Sequence, residues 1–157
     1  MIQCKNCGKL TKNKKFCSRE CLKQYKFQKC RKKKRSKLEI YLSNRLKQDF
    51  PWLLLEENNR TVLNNLELDI YLPQFNIAIE VNGAMHYKFV EYFHHTLKNF
   101  QKQRIRDQQK RIKCQQLGIR LIEIPNLKTF NIKHAEQIYN WLIGVLKNFS
   151  LFIPGGL

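Results

Sequence analysis

At 157 residues and a formal net charge of +18, the chain is long enough to bury one main core and far too basic to be an ordinary neutral globule. No apolar run approaches the roughly 18 residues of a membrane span, and no apolar signal segment opens the chain. These features exclude a membrane protein and predict a soluble, intracellular one, cytoplasmic or nucleoid-associated.

The charge is uneven. Residues 1–37 carry 15 basic side chains against Glu20 alone, whereas residues 38–157 carry 15 against 11 acids. A basic arm joined to a nearly balanced domain gains by releasing counterions from a polyanion, so nucleic acid, with double-stranded DNA foremost, is the expected partner. An anionic membrane surface or a nuclear-import tag is the blander reading of CRKKKRSK taken alone.

The first motif along the chain is CKNCGKLTKNKKFCSREC, in which Cys4, Cys7, Cys17 and Cys21 are spaced C-x2-C-x9-C-x3-C. Two close pairs across a short loop can close four thiolates around one Zn²⁺, leaving no open ligand position, so the site is structural. Disulfides are the alternative. The leftover Cys30 and Cys114, read as free thiols, favour a reducing compartment and therefore metal. So short a segment cannot build a core, and the metal is expected to hold it together. FCSREC resembles the treble-clef or ribbon-like knuckles attached to many nucleases and DNA-binding proteins. The expected organisation is a zinc finger over residues 1–25, a basic linker over 26–37 and one domain over 38–157.

In the linker, Lys32, Lys33, Lys34 and Arg35 are candidate phosphate contacts. SKLEIYLSNRLKQDFP then repeats apolar positions Leu38, Tyr41, Leu42, Leu46 and Phe50 at helical spacing up to Pro51. Ser36 and Glu39 form a capping-box pair at its start. NLELDIYLP and QFNIAIEVNG read as a hairpin. Leu66, Leu68, Ile70 and Leu72 share one face of its first strand, and Ile77, Ile79 and Val81 one face of its second, which brings Asp69 and Glu80 out together on the other side. Gly83 is expected to allow a tight turn that returns His86 to that side. A long basic helix ending near Gly118 follows, with Arg104, Arg106 and Arg111 as candidate DNA contacts. IRLIEIP is a buried strand parallel to the second hairpin strand, and NIKHAEQIYNWLIGVLKNF is a last amphipathic helix. His94 and His95 read as a surface or DNA-facing feature. The fold class is α/β, a small mixed sheet flanked by helices with an N-terminal zinc finger.

The order Glu39, Asp69, Glu80, His86, Asp107 on helix, hairpin, loop and helix resembles the PD-(D/E)xK, or restriction-endonuclease-like, nuclease core. Within it, IEVNGAMHY followed by IRDQQKRIKCQQLGIRLIEIP is most similar to the branch of very-short-patch repair endonucleases and EDxHD homing endonucleases, over about residues 36 to 125. The resemblance implies a metal-dependent DNA endonuclease, homing-type activity being the first expectation and a mismatch-repair nickase the alternative. From another class, the rival is a non-catalytic zinc-finger binding protein. Asn82 stands where the wider superfamily has lysine, and the narrower branch gives that role to a histidine, here His86.

The chemistry asked of these residues is phosphodiester hydrolysis. Asp69 and Glu80 offer hard oxygens for Mg²⁺, or Mn²⁺ in its place. His86 is the candidate general base or charge stabiliser, since imidazole exchanges protons near neutrality. Asp107 either orients His86, holds a second metal through water, or pairs with Lys110 or Arg111; Glu39 either joins the metal shell or only caps its helix. Lys110 either reaches the carboxylates or contacts phosphate from solvent. One such site per chain cuts a duplex by two sequential nicks or as a homodimer.

Overall fold

A computed structural model describes the backbone of residues 1–30 and 35–149, with side chains apart from those of 26–30. Lys32, Lys33 and Lys34, and the side chain of Cys30, lie outside the described residues. The chain divides into two units, Met1–Arg35 and a second that begins at Ser36.

In the first unit, β1 (Ile2–Gln3) and β2 (Leu10–Thr11) form a two-stranded antiparallel hairpin. Its turn carries the first cysteine pair: the Cys4 carbonyl accepts the Gly8 N–H at 2.9 Å, and Gly8 takes φ +74°, a left-handed geometry that favours glycine. Helix α1 (Arg19–Cys30) follows, with Ser18 Oγ accepting the Cys21 N–H at 3.1 Å. The segment from residue 26 that the sequence suggests as linker is thus helical to Cys30, and Ser36 already caps the next helix.

The second unit opens with α2 (Lys37–Asp49), started by the complete capping box of Ser36 and Glu39. The sheet has the order β3-β4-β5-β6, from β3 (Glu56–Leu63), β4 (Leu66–Leu72), β5 (Ile77–Gly83) and β6 (Arg120–Asn126). The first three strands are antiparallel neighbours, and β5 pairs in parallel with β6 through the crossover helix α4 (Leu97–Gln116). A short helix α3 (Glu91–His94) precedes α4, and α5 (Ile132–Asn148) ends the described chain.

Strand β3 is an addition to the expected hairpin. Its sequence, EENNRTVL, lacks apolar alternation because it is a half-exposed sheet edge, where charge discourages pairing with another chain. The sequence signal for it is Asn64-Asn65. Both residues have positive φ, 49° and 73°, and join Leu63 to Leu66 by a two-residue turn.

Helices cover both sheet faces. Leu38, Leu42 and Leu46 of α2 and Tyr139, Leu142 and Leu146 of α5 pack with Ile70, Leu72, Ile77, Ile79 and Val81. Burying each such aliphatic chain is worth about 1.5–3 kcal/mol. On the other face Tyr71 and Ala78 pack with Cys114 of α4. Leu66 and Leu68, which strict alternation would place with Ile70, belong to this second cluster, in the stretch where the β3–β4 register shifts. Among the described residues no helix is long and apolar enough to cross a membrane.

Candidate functional site

The backbone ladder between β4 and β5 runs from Leu72↔Ile77 to Ile70↔Ile79. One residue further Asp69 stands opposite Glu80, and there carboxylates replace carbonyls as acceptors. Glu80 Oε1 accepts the Asp69 N–H at 3.1 Å, and Asp69 Oδ2 accepts the Val81 N–H at 2.9 Å. Each side chain is therefore fixed by the other strand's backbone, and each residue is only 4% exposed.

Lys110 reaches this pair from α4, its Nζ donating to Glu80 Oε2 at 2.6 Å. Burial, followed by the neighbouring Asp69 charge, nonetheless pushes the Glu80 carboxyl up to about 7, against the opposing pull of Lys110. Two carboxylates this deeply buried are more than one ammonium compensates.

His86 lies beyond the end of β5, in a 3-10 turn over Ala84–His86. Its Nδ1 is 2.9 Å from Asp107 Oδ2, so of the pairings open to Asp107 the structure selects His86. The carboxylate accepts, which puts the hydrogen on Nδ1 and turns Nε2 into a proton acceptor. Gly83 does not contribute as expected. With φ −70° and ψ 172° it is ordinary extended backbone, and an added Cβ would meet nothing within 4 Å. The 3-10 turn, not glycine freedom, returns the ring.

Asp107 and Lys110 are three residues apart on α4, hence neighbours on one helix face. The His86–Asp107 and Lys110–Glu80 pairs consequently stand side by side under that helix. An open cleft of about 430 Å³ borders them, lined by His86, Tyr87, Asp107, Arg104 and Arg111. Asp69, Glu80 and Lys110 are not among its lining residues.

Other candidates are placed differently. Glu39 is 4% exposed on α2, its Oε2 accepting the Ser36 N–H at 3.3 Å. Among the described residues no third His, Cys, Asp or Glu joins Asp69 and Glu80 in a group that could hold a metal ion. Arg111 is held by Glu123 through Nε and Nη2, both at 2.9 Å, and Asn82 Nδ2 donates to the same carboxylate at 3.0 Å. Glu123 is the residue that sequence reasoning missed, an acid inside what reads as a buried strand. Arg104 and Arg106 are exposed, and Arg35 is half-buried. His94 is a correction: it is 3% exposed, enclosed by Phe89 at 5.7 Å and Phe100 at 4.9 Å between ring centroids, whereas His95 is exposed.

In the first unit the Sγ atoms of Cys4, Cys7, Cys17 and Cys21 all lie within 4.8 Å of one another, with Cys7–Cys17 at 3.6 Å and Cys17–Cys21 at 3.3 Å. This cluster could hold a metal ion.

The chain is similar to three viral proteins. The chain is 44% identical over 61 residues to "Uncharacterized protein 307L" of Invertebrate iridescent virus 6, covering 39% of this chain and 31% of that protein. It is 36% identical over 91 residues to "Uncharacterized protein 033L" of Invertebrate iridescent virus 3, covering 58% and 44%. It is 48% identical over 72 residues to "Uncharacterized protein 094L" of Frog virus 3 (isolate Goorha), covering 45% and 44%. The chain thus spans less than half the length of each of these curated relatives. No protein-family model and no solved structure matches it.

Proposed function

We propose that this chain is a metal-dependent DNA endonuclease of the PD-(D/E)xK type, closest in plan to the EDxHD homing and very-short-patch repair enzymes. The observation that carries the reading is the placement of two ion pairs, Lys110–Glu80 and His86–Asp107, on neighbouring positions of one helix.

Asp69 and Glu80 fit a hard divalent cation. They are opposed across two strands, and the raised Glu80 carboxyl marks a shortage of positive charge there. Mg²⁺ suits them, because it keeps several waters and takes only one or two carboxylates, and Mn²⁺ could replace it. Bound there, the cation would supply positive charge to the phosphate oxygens. The remaining work falls to this chain's own residues. His86 Nε2 takes the proton of the attacking water while Asp107 holds Nδ1–H and the ring orientation. The new bond joins water oxygen to phosphorus, and the bond from phosphorus to the leaving sugar oxygen breaks. Lys110 keeps one positive charge next to Glu80 throughout.

For the cysteine cluster we assign structural Zn²⁺. A tetrahedron with bonds of about 2.3 Å has sulfur edges of about 3.8 Å, close to the observed separations. Thiolate ligands persist in a reducing compartment, so the proposal places the enzyme inside the cell. Its partner is double-stranded DNA, gripped by the basic arm and by Arg104 and Arg106, and a homodimer is one way to cut both strands.

Incubating purified protein with supercoiled plasmid and Mg²⁺ tests the reading. Nicked or linear plasmid that disappears with chelator is expected. Intact plasmid with Mg²⁺ and with Mn²⁺, at protein concentrations that bind it, would sink the nuclease and leave a DNA-binding protein.

A further inference from the structure

A second recess lies along α4, outside the proposed catalytic groups. About 600 Å³ in volume, it is lined by Phe93, His94, Asn99, Lys102, Gln103 and Arg106 among others. No acid lines it. Among the described residues no carboxylate pairs with Lys102 or Arg106, although Arg104's neighbours Asp107 and Lys110 both have partners. Two uncompensated cations one helical turn apart, beside two side-chain amides, make a recess suited to an anion.

Its wall holds an unmet donor. His94 Nδ1 lies 3.0 Å from both the nitrogen and the carbonyl oxygen of Val90; that oxygen already accepts the Phe93 and His94 N–H groups at 3.0 and 2.9 Å, which leaves Nδ1 to accept the Val90 N–H. The tautomer that satisfies this loop carries its hydrogen on Nε2. That atom is buried and has no hydrogen-bond partner. A buried donor left unpaired in a native fold calls for an acceptor. The aromatic walls, Phe89 and Phe100, supply none. Asn99 Nδ2, which donates to the His94 carbonyl at 2.8 Å, fixes the residue in place.

We propose that this recess binds a backbone phosphate of the nucleic acid, with His94 Nε2–H donating to a phosphate oxygen and Lys102 and Arg106 neutralising its charge. The inference rests on the endonuclease reading for its choice of partner and assigns a second phosphate seat on α4, in a recess that shares Ile105 with the His86 cleft. It makes His94, a residue without a motif, a substrate-holding group.

The test is binding without catalysis. Full-length protein labelled with ¹⁵N-histidine is titrated in chelator with a short DNA duplex, and separately with inorganic phosphate, while ring nitrogen shifts are followed. A saturable shift of His94 Nε2 with duplex, and a weaker or absent one with phosphate, is expected. A His94 response to inorganic phosphate but not to duplex would overturn the nucleic-acid assignment, and no response to either would overturn the seat itself. In parallel, His94→Phe keeps the aromatic packing but removes the donor. It should weaken duplex binding about tenfold, with a loss of thermal stability from the Val90 N–H that Nδ1 no longer accepts, and Lys102→Gln with Arg106→Gln should reduce the salt slope by one to two units. A His94→Phe protein that loses stability yet binds duplex normally would make the histidine structural. Because no arm requires cleavage, a chain that fails to cut plasmid can still pass, and one that cuts can still fail.

Discussion

Asp107 Oδ2 lies 2.9 Å from His86 Nδ1 across 21 residues of sequence, and both side chains are mostly buried at the edge of an open cleft. A carboxylate on one ring nitrogen fixes the tautomer and aims the other nitrogen, which is the arrangement a proton acceptor needs. His86→Ala should therefore slow cleavage by about 10² to 10⁴-fold with DNA binding retained. Asp107→Asn should slow it as well while preserving the fold, because the amide cannot accept Nδ1–H equally well. Single-turnover rates at saturating protein check both, and parental rates in both variants would remove this pair from the mechanism.

Glu80 yields a pH prediction. Its carboxyl is raised from 4.5 to about 7, chiefly by burial and then by Asp69, so the folded state holds the proton more tightly than the unfolded chain. The stability this contributes is complete below about 4.5 and is lost as pH rises through about 7. In chelator, Glu80→Gln should raise the melting temperature at pH 8, by on the order of 5 °C, and do little near pH 4. Added Mg²⁺ should stabilise the parental protein at pH 8 and leave the variant unmoved. Thermal melts at the two pH values, with and without metal, decide it.

Much of this was legible because local rules carried it. Leu38, Leu42 and Leu46 announce α2, alternation announces β4 and β5, and Ser36 with Glu39 announces the cap that forms. Periodicity is silent on contacts between distant positions. It left open whether Lys110 would meet Glu80, 30 residues away, and gave no sign that Glu123 would hold both Asn82 and Arg111. Strand β3 was hidden for the opposite reason, since an edge strand is selected for polarity and its only local mark was Asn64-Asn65. His94 escaped because its burial depends on Phe89 and Phe100 closing over it in three dimensions.

The cysteine cluster makes a separable prediction. Cys17→Ser should remove one equivalent of zinc, measured by metal analysis, and unfold the first unit, whose residues bury too little to fold alone. The second unit has its own core and should keep its cooperative melt. Unchanged zinc content would show that the four sulfurs do not form the site.

Arg104 and Arg111 both line the His86 cleft but differ in what holds them. Arg104 is exposed, so Arg104→Ala should reduce the salt dependence of DNA binding by about one unit and leave the melting temperature alone. Arg111 is bound in two places to Glu123, which also holds Asn82. Its removal strands a half-buried carboxylate, and Arg111→Ala should cost stability, about 1 kcal/mol, whatever it does to binding. Equal melting temperatures for the two variants would mean that the Glu123 network contributes nothing.

Asp69 is the sharpest probe of the proposed metal seat. Its Oδ2 already accepts the Val81 N–H, and an asparagine placed with its carbonyl oxygen there keeps that bond while removing the charge. Losing one of two opposed carboxylates also relieves the repulsion that raises Glu80, so the protein should be no less stable. Cleavage should nonetheless collapse, and DNA binding should persist or tighten as a negative charge near the phosphates disappears. Raising Mg²⁺ or substituting Mn²⁺ should restore part of the activity to Asp69→Asn but none to His86→Ala, because more cation can refill a weakened seat and cannot accept the proton that His86 takes. Plasmid cleavage across a metal titration separates the two, and equal rescue of both variants would show that Asp69 and His86 do not divide the work in this way.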